Sequence, residues 1–332
     1  MTLQQRHFVL HAEPPFAFSH VLEYLRRSPS TILEVITPEE YRRGLVLNGR
    51  RILLTVRAAG SVEEPVLLVT LYGEDIGDGE EAQAKTWVRR LFMTDVASAP
   101  FYEEDSKDPV LAALARTYYG LRPVLIPDLF EALVWAIIGQ QINVRFAAKC
   151  KRALVERFGQ HLTLDGSRYQ LFPGPERLAS LLGRDLLDIQ FSRQKTRYIL
   201  DLARQVAAGD LRLEELRDLP AAEAQKRLEG LLGVGRWTAE YVLLRGLGCR
   251  DVIPAGDGGL RRVIGMAYGL GRSATEAEVR ELAERWVGWR GYAAFLWWHA
   301  AQQTAAGRLA QSPLEQHPRA GYPPAPPLDA GR

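Results

Sequence analysis

The stretch "LEGLLGVGRWTAEY", residues 228–241, sets Gly-Val-Gly between two segments of helical apolar spacing. No Lys-Ser or Lys-Thr follows the glycines, and no six-residue glycine fingerprint follows a strand, so neither common nucleotide-binding loop applies. A helix–Gly-x-Gly–helix corner offers different chemistry. It brings the first turn of the second helix forward with its backbone N–H groups unpaired. The glycines let an anion approach closely, and the helix dipole favours negative charge there. Arg236 stands beside that position. Such a corner suits a backbone phosphate and reads no base sequence; the plain alternative is a tight turn with no ligand.

Asp257 lies 20 residues beyond Trp237, in "VIPAGDGGLRRVIG", a Pro/Gly-rich loop that enters a short helix. A carboxylate flanked by glycines at a helix start is an N-cap, a solvated loop acid, or a group held out for chemistry. The residues alone leave the three open.

The elements that must position these groups fall into two kinds. Over the first hundred residues, "HFVLH", "TILEVI", "YRRGLVL", "RILLTVRA" and "PVLLVTLYG" are short Val/Ile/Leu/Thr-rich runs, several alternating as strands do. Asn48-Gly49 between two of them signals a hairpin turn. Helices are expected over residues 18–27 and 80–92. After Pro127 the period changes. Seven segments, from "DLFEALVWAIIG" to "YAAFLWWHAAQQTAAG", carry helical spacing, and most end at glycine. Asp128 is placed to cap the first of them. The expected fold class is α+β. A mixed sheet domain over residues 1–110 precedes a helical domain over 111–308. Residues 309–332, with six prolines and little apolar periodicity, are expected to be a disordered tail.

Composition narrows the partners. The 332 residues carry a formal charge of +2, but unevenly: residues 1–120 hold 13 Lys/Arg against 17 Asp/Glu, leaving 29 against 23 in the remainder. The C-terminal part is the better partner for an anion. Two cysteines, Cys150 and Cys249, exclude a disulfide framework and a four-cysteine zinc or iron–sulfur site. No apolar run approaches the ~18 residues of a membrane span, and the N-terminus has no signal-peptide pattern. A cytoplasmic protein without a membrane partner is the expectation.

The run "LEGLLGVGRWTAEYVLLRGLG…DVIPAGDGG" resembles the helix-hairpin-helix followed by a Gly/Pro-rich loop and aspartate of the DNA glycosylase superfamily named for those features. The flanking "ALVWAIIGQQINVRFAAK" and "WVGWRGYAAFLWWH" are similar to helices of its bacterial 3-methyladenine DNA glycosylase II branch. The resemblance spans roughly residues 5–305. It implies a monofunctional glycosylase acting in base excision repair. Such an enzyme flips an alkylated base such as 3-methyladenine out of double-stranded DNA and removes it with water, as a nucleoid-associated monomer needing no cofactor. Two other readings are a glycosylase for oxidised or mismatched bases and a non-catalytic DNA-binding module.

Residue by residue, the resemblance makes Asp257 the catalytic carboxylate; the acid often found just before it is absent, and Gly256 stands there. At Trp237, bifunctional relatives carry a nucleophilic lysine, so a tryptophan implies no lyase step. Trp237, Tyr241 and Trp298 line the base pocket, although a one-residue slip would hand the last role to Trp297, and each ring has core packing as its plain alternative. Trp289 is expected in the core or at the rim, and His299 in the interior. Gly233, Gly235, Arg236 and Thr238 meet the DNA backbone. Gln141, where close relatives carry an apolar wedge, fills the vacated space, the alternative being that Gln140 and Gln141 form a polar turn. Arg193, Lys195 and Arg197 touch phosphates or make up a solvated face. Main-chain carbonyls of Glu229, Leu231 and Val234 are implied to hold a monovalent or other hard cation.

Overall fold

The computed structural model describes residues 4–103 and 108–305; the expected tail over 309–332 lies outside the described residues. Five strands, β1 (Gln4–His11), β2 (Glu34–Ile36), β3 (Glu40–Leu47), β4 (Arg50–Gly60) and β5 (Pro65–Gly73), form one antiparallel sheet in the order β1-β5-β4-β3-β2. Asn48 and Gly49 join β3 to β4 with φ of 47° and 77°, the two left-handed positions of a type I′ turn. Alternation assigns the faces: Ile52, Leu54 and Val56 of β4 and Leu67, Val69 and Leu71 of β5 are buried beneath helices α1 (Phe18–Arg27) and α2 (Asp78–Phe92). The intervening Leu53 faces the other way.

That other face is covered by an element the sequence reading missed. Strands β6 (His161–Leu164) and β7 (Ser167–Gln170) form a second hairpin, and its Leu164 and Tyr169 bury Leu53. Its signal was present in "LTLDGSRYQL": Asp165-Gly166, with φ of 47° and 74°, is another type I′ pair between alternating runs. The long helical stretches on either side obscured it.

Helices α3 (Ala99–Glu103) and α4 (Pro109–Thr117) lead into the helical body. There follow α5 (Leu129–Gly139), α6 (Val144–Phe158), α7 (Pro175–Ala179), α8 (Gly183–Leu187) and α9 (Arg193–Ala208). The C-terminal group is α10 (Ala221–Glu229), α11 (Arg236–Arg245), α12 (Gly258–Ala267), α13 (Glu276–Ala283) and α14 (Arg290–Ala305). Among the described residues no helix is long and apolar enough to cross a membrane. Helix α5 is apolar around its whole circumference and buried along residues 129–138, so it runs through the centre of the body. Asp128 caps it, its Oδ1 accepting from the N–H groups of Phe130 and Glu131 at 2.9 and 3.1 Å.

Sheet and helices share one apolar core, stitched by charge. The buried carboxylate of Glu131, in the first turn of α5, accepts from Arg43 of β3 and from Lys151 Nζ of α6, the latter at 2.8 Å. Arg43 also pairs with Glu34. Arg245 of α11 reaches back to the Val124 carbonyl at 2.7 Å and the Tyr24 hydroxyl of α1 at 3.2 Å. His299 is fully buried against the Tyr118 ring, and burial pushes its imidazole down to about 4, so the ring is neutral. It is an interior histidine, but only Nε2 has a partner, Gln303; Nδ1 has none. Trp289 is buried against Phe101 and Tyr292.

Candidate active site

The corner between α10 and α11 is shaped by one glycine and opened by another. Gly233 has φ of +81°, and a Cβ added there would lie 2.1 Å from the Tyr198 ring. Left-handed backbone and close approach together require glycine at this position. Gly235, the N-cap of α11, is extended (φ −95°, ψ −179°) and has no heavy atom within 4 Å of an added Cβ. Its surroundings are free for a ligand. Gly235 carries no capping side chain, so the first-turn N–H groups of Arg236, Trp237 and Thr238 present an uncapped donor set. Arg236 is exposed and donates Nε to Glu240 Oε1 at 3.0 Å. Glu240, 4% exposed, also takes Arg280 at 2.9 Å. Burial raises the Glu240 pKa, and the two arginines oppose that rise.

For one member of the expected DNA-binding set the structure narrows which atoms could serve. Thr238 is 2% exposed and its hydroxyl accepts from Gln140 Nε2 at 3.0 Å. Its side chain faces inward, and only its main-chain N–H is available to a ligand. The reading of Lys195 as a phosphate contact is displaced similarly: Nζ donates to the carbonyls of Ile138 and Gln140, both at 2.7 Å, at the end of α5. Arg193 and Arg197 remain exposed.

Behind the corner, the expected pocket residues converge. Trp237 and Tyr241, one turn apart on α11, have ring centroids 5.7 Å apart, and Tyr241 lies 5.9 Å from Trp298 of α14. Asp257 closes the group: Oδ1 accepts from the Trp298 indole N–H at 3.1 Å and from the Leu260 N–H at 2.8 Å. The carboxylate is therefore both the N-cap of α12 and a member of the aromatic cluster, with both of these hydrogen bonds taken by Oδ1. Trp297 is fully buried against Tyr268 and Trp286, which makes it core. Of the two adjacent tryptophans it is Trp298 that reaches the carboxylate.

Gly256 also has a physical reason. A side chain there would begin 3.5 Å from Glu276 Oε2 and 3.5 Å from the Trp237 Cβ, so an acid at 256 would face a like charge. Sequence reasoning missed Trp135, whose indole N–H donates to the Tyr241 hydroxyl at 2.8 Å and fixes that ring. On a helix apolar all round, nothing distinguished it. Burial raises the Tyr241 pKa, so the phenol stays protonated.

Gln141, the expected space-filling residue, is exposed in the turn between α5 and α6 and holds φ of +55°. At the hairpin, the Leu231 carbonyl accepts from the Val234 N–H at 3.1 Å, which leaves it a second lone pair. Among the described residues no group of three or more His, Cys, Asp or Glu side chains gathers as metal ligands. A cleft of about 1250 Å³ opens elsewhere, bounded by Arg51, Trp87, Arg157 and Arg177 among others. It shares no residue with the Asp257 cluster.

Residues 134–288 match the family described as HhH-GPD superfamily base excision DNA repair protein. The chain is 41% identical over 212 residues to a DNA-3-methyladenine glycosylase of Bacillus subtilis, covering 64% of this chain and 70% of that one. It is 30% identical over 293 residues to DNA-3-methyladenine glycosylase 2 of Escherichia coli, covering 88% and 96%. Among solved structures it superposes on a 3-methyladenine DNA-glycosylase from Archaeoglobus fulgidus with a TM-score of 0.78 and 25% identity, over 90% of this chain and 99% of that one.

Proposed function

This chain belongs to the HhH-GPD superfamily of base excision DNA repair proteins, and from that premise we propose that it is a monofunctional DNA glycosylase. It flips alkylated bases such as 3-methyladenine out of duplex DNA and removes them by hydrolysis. The observation that carries the reading is the placement of Asp257 against Trp298, beside Trp237 and Tyr241.

Breaking an N-glycosidic bond develops positive charge on the deoxyribose. A fixed carboxylate stabilises that charge and orients or deprotonates the attacking water. An alkylated base carries positive charge or a weakened bond, so its departure needs little acid help. One carboxylate then suffices where sugar glycosidases use two. The extruded base stacks on aromatic faces, which favour an electron-poor ring. The α10–α11 corner grips phosphate through the N–H groups that follow Gly235. Carbonyls of Glu229, Leu231 and Val234 are hard oxygen donors suited to a monovalent or other hard cation. Bound there, the cation would add positive charge near the phosphate.

Hydrolysis without a lyase step rests on position 237. A lysine there would stand in the first turn of α11, where an amine could attack C1′ and form an imine. Tryptophan has no nucleophilic atom, and its indole nitrogen is a donor only. The neighbouring Arg236 carries a guanidinium, which does not serve as an amine nucleophile. Incubation with a labelled lesion-bearing strand, with and without borohydride, should leave no covalent band on a denaturing gel, and the strand should break only after heat or alkali. A trapped adduct, or nicking without alkali, assigns the step to an amine and removes the monofunctional reading.

The corner's role is tested at Gly235, because the extended backbone there accommodates any residue. Gly235→Val keeps the fold and puts bulk where phosphate approaches. Duplex affinity measured by fluorescence anisotropy should fall about tenfold, the worth of one charge-assisted hydrogen bond, and equally for damaged and undamaged DNA. A loss confined to one lesion would contradict a backbone contact. Substituting Gly233 reports on folding instead, through the Tyr198 clash.

A further inference from the structure

Gln140 closes α5, and its side chain turns back toward the body. Nε2 donates to the Gly233 carbonyl at 2.8 Å and to Thr238 Oγ1 at 3.0 Å. A carbonyl can only accept, so the amide nitrogen is the end that faces the hairpin. The turn is held from its other side by Lys195 at the start of α9, whose Nζ donates to the carbonyls of Ile138 and Gln140 at 2.7 Å each. Gln141, the next residue, is exposed in the left-handed region at φ +55°, a conformation that a non-glycine residue keeps only where its surroundings enforce it. The surroundings here are the two clamps. The exposed tip of the α5–α6 turn and the phosphate-facing corner of α10–α11 are thereby joined through one side chain.

We propose that Gln140 is a positioning residue that couples the hairpin's hold on phosphate to the entry of the 140–142 turn into the duplex. Extruding a base costs unstacking and unpairing energy, which must be drawn from contacts made elsewhere. Backbone contacts at Gly235 and Arg236 can contribute only if the gripping corner and the intruding turn move together. Gln140 supplies that link without touching DNA or the base: its donors are spent on Gly233 and Thr238. The proposal rests on the glycosylase reading and refines it.

The test compares Gln140→Leu, which keeps the bulk and loses the donors, and Gln140→Glu, which keeps the polarity and loses the donors, with the wild-type chain. Four readouts are needed: thermal melting, anisotropy affinity for undamaged duplex, extrusion reported by 2-aminopurine fluorescence, and single-turnover excision. Excision is measured on an alkylated base that is paired and on the same base opposite an abasic site, where extrusion costs less. Both variants are expected to melt cooperatively and to bind undamaged duplex nearly as the wild type does. Extrusion and excision of the paired lesion should fall about tenfold, the worth of two ordinary hydrogen bonds, and excision should largely recover opposite the abasic site. Thr238→Val, which removes one of the two acceptors and leaves Gln140 intact, should give a smaller loss of the same pattern. Unchanged extrusion, an equal loss on both substrates, or a parallel loss of undamaged-duplex binding would overturn the proposal. If the wild type releases no base, the glycosylase reading fails on its own, and the extrusion signal still decides the role of Gln140.

Discussion

Asp257→Asn should lower single-turnover base excision by about 100-fold or more, the usual cost of removing a group aimed at transition-state charge, while duplex affinity stays close to wild type. The carboxylate acts on charge that is absent from the bound substrate, so its loss appears in rate and not in binding. Asparagine is the informative exchange here because Asp257 also caps α12 through the Leu260 N–H. Asparagine is as good an N-cap as aspartate, and its carbonyl can still accept from the Trp298 indole. The exchange removes the negative charge and little else. Asp257→Ala would also lose the cap and mix a folding defect with the chemical one. Near wild-type excision by the asparagine variant would show that another group performs the step.

Glu131→Ala should lower global stability by about 3–5 kcal/mol, the cost of removing one partner from a buried ion pair. The carboxylate is 1% exposed and the Lys151 side chain 3% exposed. Burial alone would raise the Glu131 pKa, but Arg43 and Lys151 outweigh it and the net shift is downward. A depressed carboxyl stabilises the fold above its unfolded pKa and loses that contribution as pH falls through its folded pKa. Without Glu131, Lys151 keeps only the faces of Trp135 and Phe172, 5.5 and 5.8 Å from its ammonium. Urea titration should show a lower midpoint at unchanged slope. Glu131→Leu combined with Lys151→Met, which removes both charges, should be less destabilised than the single variant. A change below about 1 kcal/mol for the single variant would mean that water or other groups satisfy Lys151. The consequence reaches the site, because Glu131 anchors the start of the helix whose far end carries Gln140 and Gln141.

Much of this was legible in the residues. The change from period two to period 3.6 separates sheet from helical body, Asn48-Gly49 marks its turn, and the glycine corner with an aspartate 20 residues after Trp237 points to the candidate site once the family resemblance is added. Spacing places Trp237 and Tyr241 on one face of α11. What stayed hidden depends on where polar side chains turn. Gln140, Gln141, Lys195 and Thr238 all look like surface residues of turns and helix starts, yet Gln141 alone of these four is exposed. Thr238 is buried under Gln140, and Lys195 is spent on carbonyls. The choice between Trp297 and Trp298 needs the helix phase to within one residue, which apolar periodicity cannot supply on a helix as buried as α14. The β6–β7 hairpin is short, and its packing partner Leu53 lies more than a hundred residues away.

The most direct measurement is free base released from duplexes that each carry one lesion, quantified by chromatography for the wild-type chain and for Asp257→Asn. Free alkylated base should appear in step with alkali-sensitive abasic sites, with the strand intact before alkali and little release by the variant. Release of oxidised or mismatched bases but not alkylated ones, or equal release by wild type and variant, would contradict an alkylated-base glycosylase that works through Asp257.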